Sequence, residues 1–429
     1  MSSLLHAAPM AVDFLFIVVC IGALVTELWV IPHSMPGADM LHDGVWRLLG
    51  LALVGLTLTS IIGLLQRTGE MSNLPWQQAF SALPLVLSKT HYGMTWLVRM
   101  AGVVVLWFGW WRLNKGIGSV FPGEGRKLSP FVAFLYAMML AMASVAWSVS
   151  ASSHAADWGD FTLPEWTSWL HIMVGSAWLG GILAFALVIG RRLREPSERT
   201  QALFAVCAGR LSRLAGIALS LVLATAAYNV WRQLDRFSDL WSSGYGEIIL
   251  AKLVLVGLVA VIGASSRYFN LPFLCRETGG SLPAQRTRLP LRILRRLPPS
   301  WRPGEGPDLT RQFGYRVTTA AWLTVGVLIC AALLGHTMPP GKHVDAVRVT
   351  TGTANVLPPR RNNRVTIDPI QNTTVPYIAP VYGFSDAVRS AQSAVRRIAK
   401  TVTRRPPSLR LPATICSAPR CPLIVVMAL

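Results

Sequence analysis

The residues of this chain best able to do chemistry are its eight histidines and the methionines beside them. Imidazole is the commonest neutral ligand for copper, zinc and iron, and thioether sulfur selects Cu(I). Met10 lies near His6, Met94 near His91, Met173 beside His171 and Met338 beside His336. The stretch "HSMPGADMLH" (33–42) holds His33, Met35, Met40 and His42 within ten residues. A hard cation would instead need a cluster of carboxylates and carbonyls, and Glu27 is the chief carboxylate inside the apolar runs. The six cysteines contain no CxxC pair, so spacing points to neither a thiol metal site nor a redox motif.

The elements that must position these groups are long and apolar. Of 429 residues 52% are hydrophobic and only 14% charged, a balance that excludes an ordinary soluble domain. Continuous apolar runs fall near 11–31, 47–65, 95–113, 130–151, 168–190, 211–231, 247–266 and 317–335. Each is long enough to cross a hydrocarbon core as a helix, and none shows the two-residue alternation of a barrel strand. The chain therefore reads as an all-α polytopic membrane protein, eight transmembrane helices in a bundle. Its start lacks a basic segment and the first run is long enough to span, so no cleavable signal is expected.

The net charge of +20 would suggest nucleic acid in a soluble chain, but its distribution here argues for topology and against a nucleic-acid partner. Loops 191–213 and 267–316 carry six and ten Lys/Arg, whereas loop 152–167 carries none and holds Asp157, Asp160 and Glu165. By the positive-inside rule the basic loops are cytoplasmic, which places both termini outside. His6, His91, His154, His171, His336 and His343 then fall at or near the outer face, and His33 and His42 on the inner one. His154 ends the fourth span, His171 lies one turn into the fifth and His336 ends the eighth, so the three share a depth and could share a metal if those spans pack together. Gly175 and Trp178 follow His171 on one helix face; Gly175 would let a neighbouring backbone come close, and the Gly180-Gly181 pair would do the same lower down. Against a metal role, a lone interfacial histidine is more often structural, and Met138, Met139 and Met142 suit plain packing.

Spans one to four and five to eight are candidates for two parallel four-helix repeats. "THYGMTWLVRM" (90–100) and "SGYGEIILAKL" (243–253) both place Tyr-Gly at an interface and a cation six residues after the glycine, Arg99 and Lys252. Those cations serve either as snorkelling groups or as countercharges. The expected organisation is a four-helix region over 1–151, a second over 152–343 and a basic Arg/Pro-rich tail over 344–429. From residue 341 onward 13 Lys/Arg stand against three Asp; this stretch reads as mostly disordered, with one interfacial helix over 384–400.

The stretch "SSHAADWGDFTLPEWTSWLHIMVGSAWLGGILAF" resembles the signature of the copper resistance protein D family (CopD). So do "YGEIILAKLVLVGLVAVIGASSRYFNLP" (245–272) and the ending "ALLGHTMPPGKH" (332–343), in the same order and spacing. The chain departs from the family where Ser266 stands before Arg267 in place of asparagine, and where His336 stands in place of a more usual threonine. The resemblance implies a bacterial inner-membrane protein of copper handling, not an enzyme, that moves Cu(I) or Cu(II), often beside a periplasmic carrier of the CopC type. Both termini would be periplasmic. No ATP-binding loop or phosphorylatable Asp motif is present, so transport would be passive, driven by an ion gradient, or driven by handover from a carrier.

On this reading His154, His171, His91, Met94, Met173 and His336 are the capturing groups. Gly175 and Trp178 line the path, and His33, Met35, Met40 and His42 mark the exit. Two other readings stand beside it. One is a b-type cytochrome with His91 and His171 as axial ligands; the other is a copper-binding assembly partner that carries no flux.

Overall fold

The computed structural model describes residues 2–72 apart from 34 and 36, then 79–114, 130–153, 156, 159–190, 198–234, 236–271 and 307–337. The expected tail and its 384–400 helix lie outside the described residues, which all belong to one compact unit. The described regular structure is helical: α1 (Ser2–Val25), α2 (Asp39–Ser72), α3 (Ala79–Lys89), α4 (His91–Asn114), α5 (Pro130–Ala151), α6 (Leu163–Ala184), α7 (Glu198–Gln233), α8 (Asp239–Ser242), α9 (Gly244–Ser265) and α10 (Pro307–His336). Eight of these are long and apolar enough to cross a membrane, and all eight expected runs match them to within a residue of their ends or lie inside them. Cys207, expected in or beside a loop, is fully buried inside α7.

Local sequence explains where several helices begin. Proline opens α5 and α10 and sits in the first turn of α6, where its missing N–H costs nothing. Ser243 caps α9, its hydroxyl accepting from the Gly246 amide at 3.0 Å. Three of the long helices end in a five-residue π turn: α1 in Thr26–Val30, α6 in Phe185–Ile189 and α9 in Ser266–Asn270. The first is closed by the Ile31 amide on the Thr26 carbonyl at 3.0 Å. Such turns carry one residue more than an α turn and often mark functional sites.

α1 is the central element. It packs on α2, α6 and α10, while α4 packs on α5 and α9 on α10. Its crossing with α6 is made by glycine: a Cβ added at Gly22 would lie 2.1 Å from the carbonyl carbon of Gly180, so the two backbones touch. Gly180 thus does what its sequence position suggested. Gly175 does not, since its nearest neighbour is a methyl of Val222 at 4.0 Å.

α4 runs antiparallel to α2. The Trp96 indole donates to the Ser60 carbonyl at 2.9 Å and that of Trp110 to the Trp46 carbonyl at 3.0 Å. Between them Arg99 bridges α1 and α2, donating to Asp13 at 2.5 Å and to the Ser60 hydroxyl at 2.9 Å. Thr59 adds a bond to the same Asp13 oxygen at 2.7 Å. Of the two sequence readings of Arg99, countercharge is the one the structure shows.

Candidate metal centre

The α1–α2 connection gathers the chemistry at one end of the bundle. After the π turn, the chain passes through consecutive turns closed by Met35 N–H on the Pro32 carbonyl (3.3 Å) and Ala38 N–H on the Met35 carbonyl (3.2 Å). Gly37, at φ 86°, supplies a left-handed step that an L-side chain rarely adopts. The turns fold "HSMPGADMLH" back on α1, so that His33 and the start of α2 both meet Glu27.

Glu27, His33 and His42 form the cluster. One ligand-type atom from each lies within 4.8 Å of the others, and among the described residues they are the sole group of three His, Cys, Asp or Glu so placed. His42 Nδ1 lies 2.7 Å from Glu27 Oε1 in a buried pair. With Glu27 ionised, Nδ1 donates and Nε2 keeps the lone pair, the arrangement in which a carboxylate orients a metal-binding imidazole. His33 stacks on His42 with ring centroids 4.9 Å apart and planes 5° from parallel, and it meets the edge of Phe131 at 5.8 Å. Partial burial, then His42 and Arg210, hold the His33 pKa down at about 4, so that ring is neutral near pH 7. Glu27 itself is 1% exposed, and its Oε2 has no hydrogen-bond partner among the described residues.

A buried carboxylate with an unused oxygen is expensive in an apolar bundle, and a cation would offset that cost. Met35 is half-buried against the same core, within reach of a soft-ion site by sequence position; Met40 is half exposed.

The other expected ligands stand elsewhere. Val188 at the foot of α6 touches Gly44 near the cluster, and His171 lies seventeen residues up that helix, ~25 Å away. His171 Nδ1 is 2.9 Å from the Thr225 hydroxyl on α7. When that hydroxyl donates to the Leu221 carbonyl at 2.8 Å, it accepts from His171, and Nε2 keeps the lone pair there too. Lys252 is close enough to act on this ring electrostatically. His91 pairs with Asp160 at 3.0 Å, both about half exposed. Met94 is exposed, Met173 packs against the core, and Trp178 is buried. His154, and the side chain of His336, lie outside the described residues. Neither His91 nor His171 joins a described group of three ligand-type residues.

Two family profiles match the chain. One, described as copper resistance protein D, covers residues 205–334; the other, described as copper resistance protein D-like, N-terminal domain, covers residues 1–157. The chain belongs to the copper resistance protein D-like family. Its relatives include "Copper resistance protein D" of Pseudomonas syringae pv. tomato, 24% identical over 248 residues, or 56% of this chain and 75% of that one. They also include "Copper transport protein CutJ" of Bacillus subtilis (strain 168), 26% identical over 238 residues, or 54% of this chain. The match spans only 41% of that second relative's length. No solved structure matches.

Within a copper resistance protein D-like chain, two groups were hard to find from sequence. Glu27 stood out as an interior carboxylate, but its partner His42 lies fifteen residues on, across a connection whose turns sequence does not close. Asp13 gave no signal beyond being a carboxylate in an apolar run. Its partner Arg99 is 86 residues away.

Proposed function

We propose that this chain is a copper carrier rather than an enzyme, moving copper through a bacterial inner membrane toward the cytoplasm, and that Glu27, His33 and His42 hold the ion at the inner end. The copper-named relatives support the cargo. The observation that carries the site is the cluster itself: two imidazoles and one buried carboxylate within 4.8 Å. The basic loops around it support its placement on the cytoplasmic side and both termini in the periplasm.

Capture at the opposite end belongs to His91, His154 and His171, with Met94, Met173 and His336 as neighbours, and a CopC-type carrier is the natural donor. His171 is held in place for this by its hydrogen bond with Thr225. The route follows α6 past Gly175 and Trp178. In the described state the α1–α6 seam below is closed by the Gly22–Gly180 contact, so passage requires movement at the lower end. Copper leaves through His33, Met35, Met40 and His42.

The test is copper flux into proteoliposomes holding the full chain, followed with radioactive copper. His42→Ala and His171→Ala should each abolish uptake while the protein remains folded and inserted. Uptake unchanged in His42→Ala would reject the inner site; stoichiometric binding without flux in the wild type would make the protein a copper-binding partner.

A further inference from the structure

A second feature shares only Trp178 with the proposed copper route. α7 packs on α6 but has little contact with α9 or α10. Between them is a cavity of about 270 Å³, lined by Trp178, Ile182, Leu219, Val259 and Gly263, with Arg267 and Arg316 at one end. Arg267 reaches across the gap, donating to the Ser212 carbonyl on α7 at 3.0 Å, and its guanidinium lies 5.9 Å from the Tyr268 ring. Arg316 donates to Asn270 Oδ1 at 2.6 Å. Asn270 is fully buried, and its Nδ2 has no partner among the described residues.

Copper is a poor occupant for this space. Its walls are almost wholly apolar, and two guanidiniums repel a cation. Water is poor too: each molecule needs two or more polar partners that the walls do not supply. An occupant must present an apolar chain to α6, α7 and α9 and an anionic group to the arginines. That is the chemistry of an acidic phospholipid, and basic pockets between membrane helices are known to take such headgroups.

We propose that this cavity is a binding site for an anionic phospholipid, its acyl chain between α7 and α9 and its phosphate on Arg267 and Arg316. The site lies at the end of the bundle where the three π turns gather, so the lipid belongs to the leaflet on that side. Its occupancy ties α7 to α9, which otherwise stand apart.

The experiment measures thermal unfolding of the full chain in a neutral detergent. Phosphatidylglycerol is added at increasing amounts, against phosphatidylcholine with the same acyl chains and against glycerol phosphate alone. Phosphatidylglycerol should raise the midpoint at about tenfold lower concentration than phosphatidylcholine, as expected for charge-assisted bonds to two guanidiniums. The double variant Arg267→Gln/Arg316→Gln should lose that preference.

A Cβ at Gly263 meets nothing within 4 Å, so Gly263→Leu fills the cavity without forcing the backbone. It should abolish the lipid effect while leaving the lipid-free midpoint no lower than in the wild type. Equal response to the two lipids, or a full lipid response in Gly263→Leu, would overturn the proposal. So would an equal shift from glycerol phosphate, which would leave an anion site with no lipid.

Discussion

Gly22 and Gly180 meet backbone to backbone: a Cβ on Gly180 would lie 2.0 Å from the carbonyl oxygen of Val18, and one on Gly22 2.1 Å from the Gly180 carbonyl carbon. The contact locks the first long helix against the fifth and sets how near the candidate metal centre can come to the foot of α6. In a bilayer, where no hydrophobic force pulls helices together, such close approach is a main source of cohesion.

The first prediction concerns that crossing. Gly22→Ala and Gly180→Ala should each destabilise the fold by about 2 kcal/mol or more, because backbone cannot yield as a side chain does. Gly257→Ala, with nothing within 4 Å of its added Cβ, should be neutral or slightly stabilising. Thermal midpoints in one detergent compare all three; equal losses would mean that the crossing has no special weight.

At the metal centre, Glu27→Gln keeps the shape of the carboxylate and removes its charge. Copper affinity, measured by competition with a chelator of known strength, should fall at least ten- to hundredfold, the loss typical of groups that orient a metal ligand. His33→Ala should weaken binding as well, while Met40→Ala, at an exposed position, should change it least.

The Asp13–Arg99 pair makes a separate prediction, since its side chains are only 17% and 12% exposed. Asp13→Asn alone leaves a cation without its partner and should cost about 3 kcal/mol. Adding Arg99→Gln should recover part of that loss, and unfolding of the two single variants and the double closes the cycle.

Asp160→Asn should behave differently. Its partner His91 sits in solvent, and an exposed pair of this kind is worth less than about 1 kcal/mol. Stability should barely move, and any fall in copper uptake would then report on capture at that end.

His171 offers the clearest separation of structure from function. Thr225 keeps its bond to the Leu221 carbonyl when the imidazole is gone, so His171→Ala strands no buried hydroxyl. The variant should insert and melt within about 1 kcal/mol of the wild type, and a selective loss of copper uptake would then be a loss of chemistry.

Much of this was legible in the sequence. The eight spans follow from continuous apolar runs, a signal local to each helix. His33 and His42 stood out because one short loop carries both. The pairing of Asp13 with Arg99, of Gly22 with Gly180, and of Glu27 with His42 was not legible, because each depends on which helices become neighbours or on how a turn closes. Periodicity in one helix carries no record of its partner. The cavity between α7 and α9 was invisible for the same reason: it is a place where two elements fail to meet.

The π turns have a mechanical consequence. Each holds one residue of surplus length, and expelling it would turn the chain beyond by ~100° and advance it ~1.5 Å. In α1 that surplus contains Glu27. Tightening this one turn would swing the carboxylate out of register with His42 and dismantle the cluster without unwinding the helix. The three helices that end in such turns do so at a common end, and the loss of one residue from a single coil would be enough to open or close a grip on an ion.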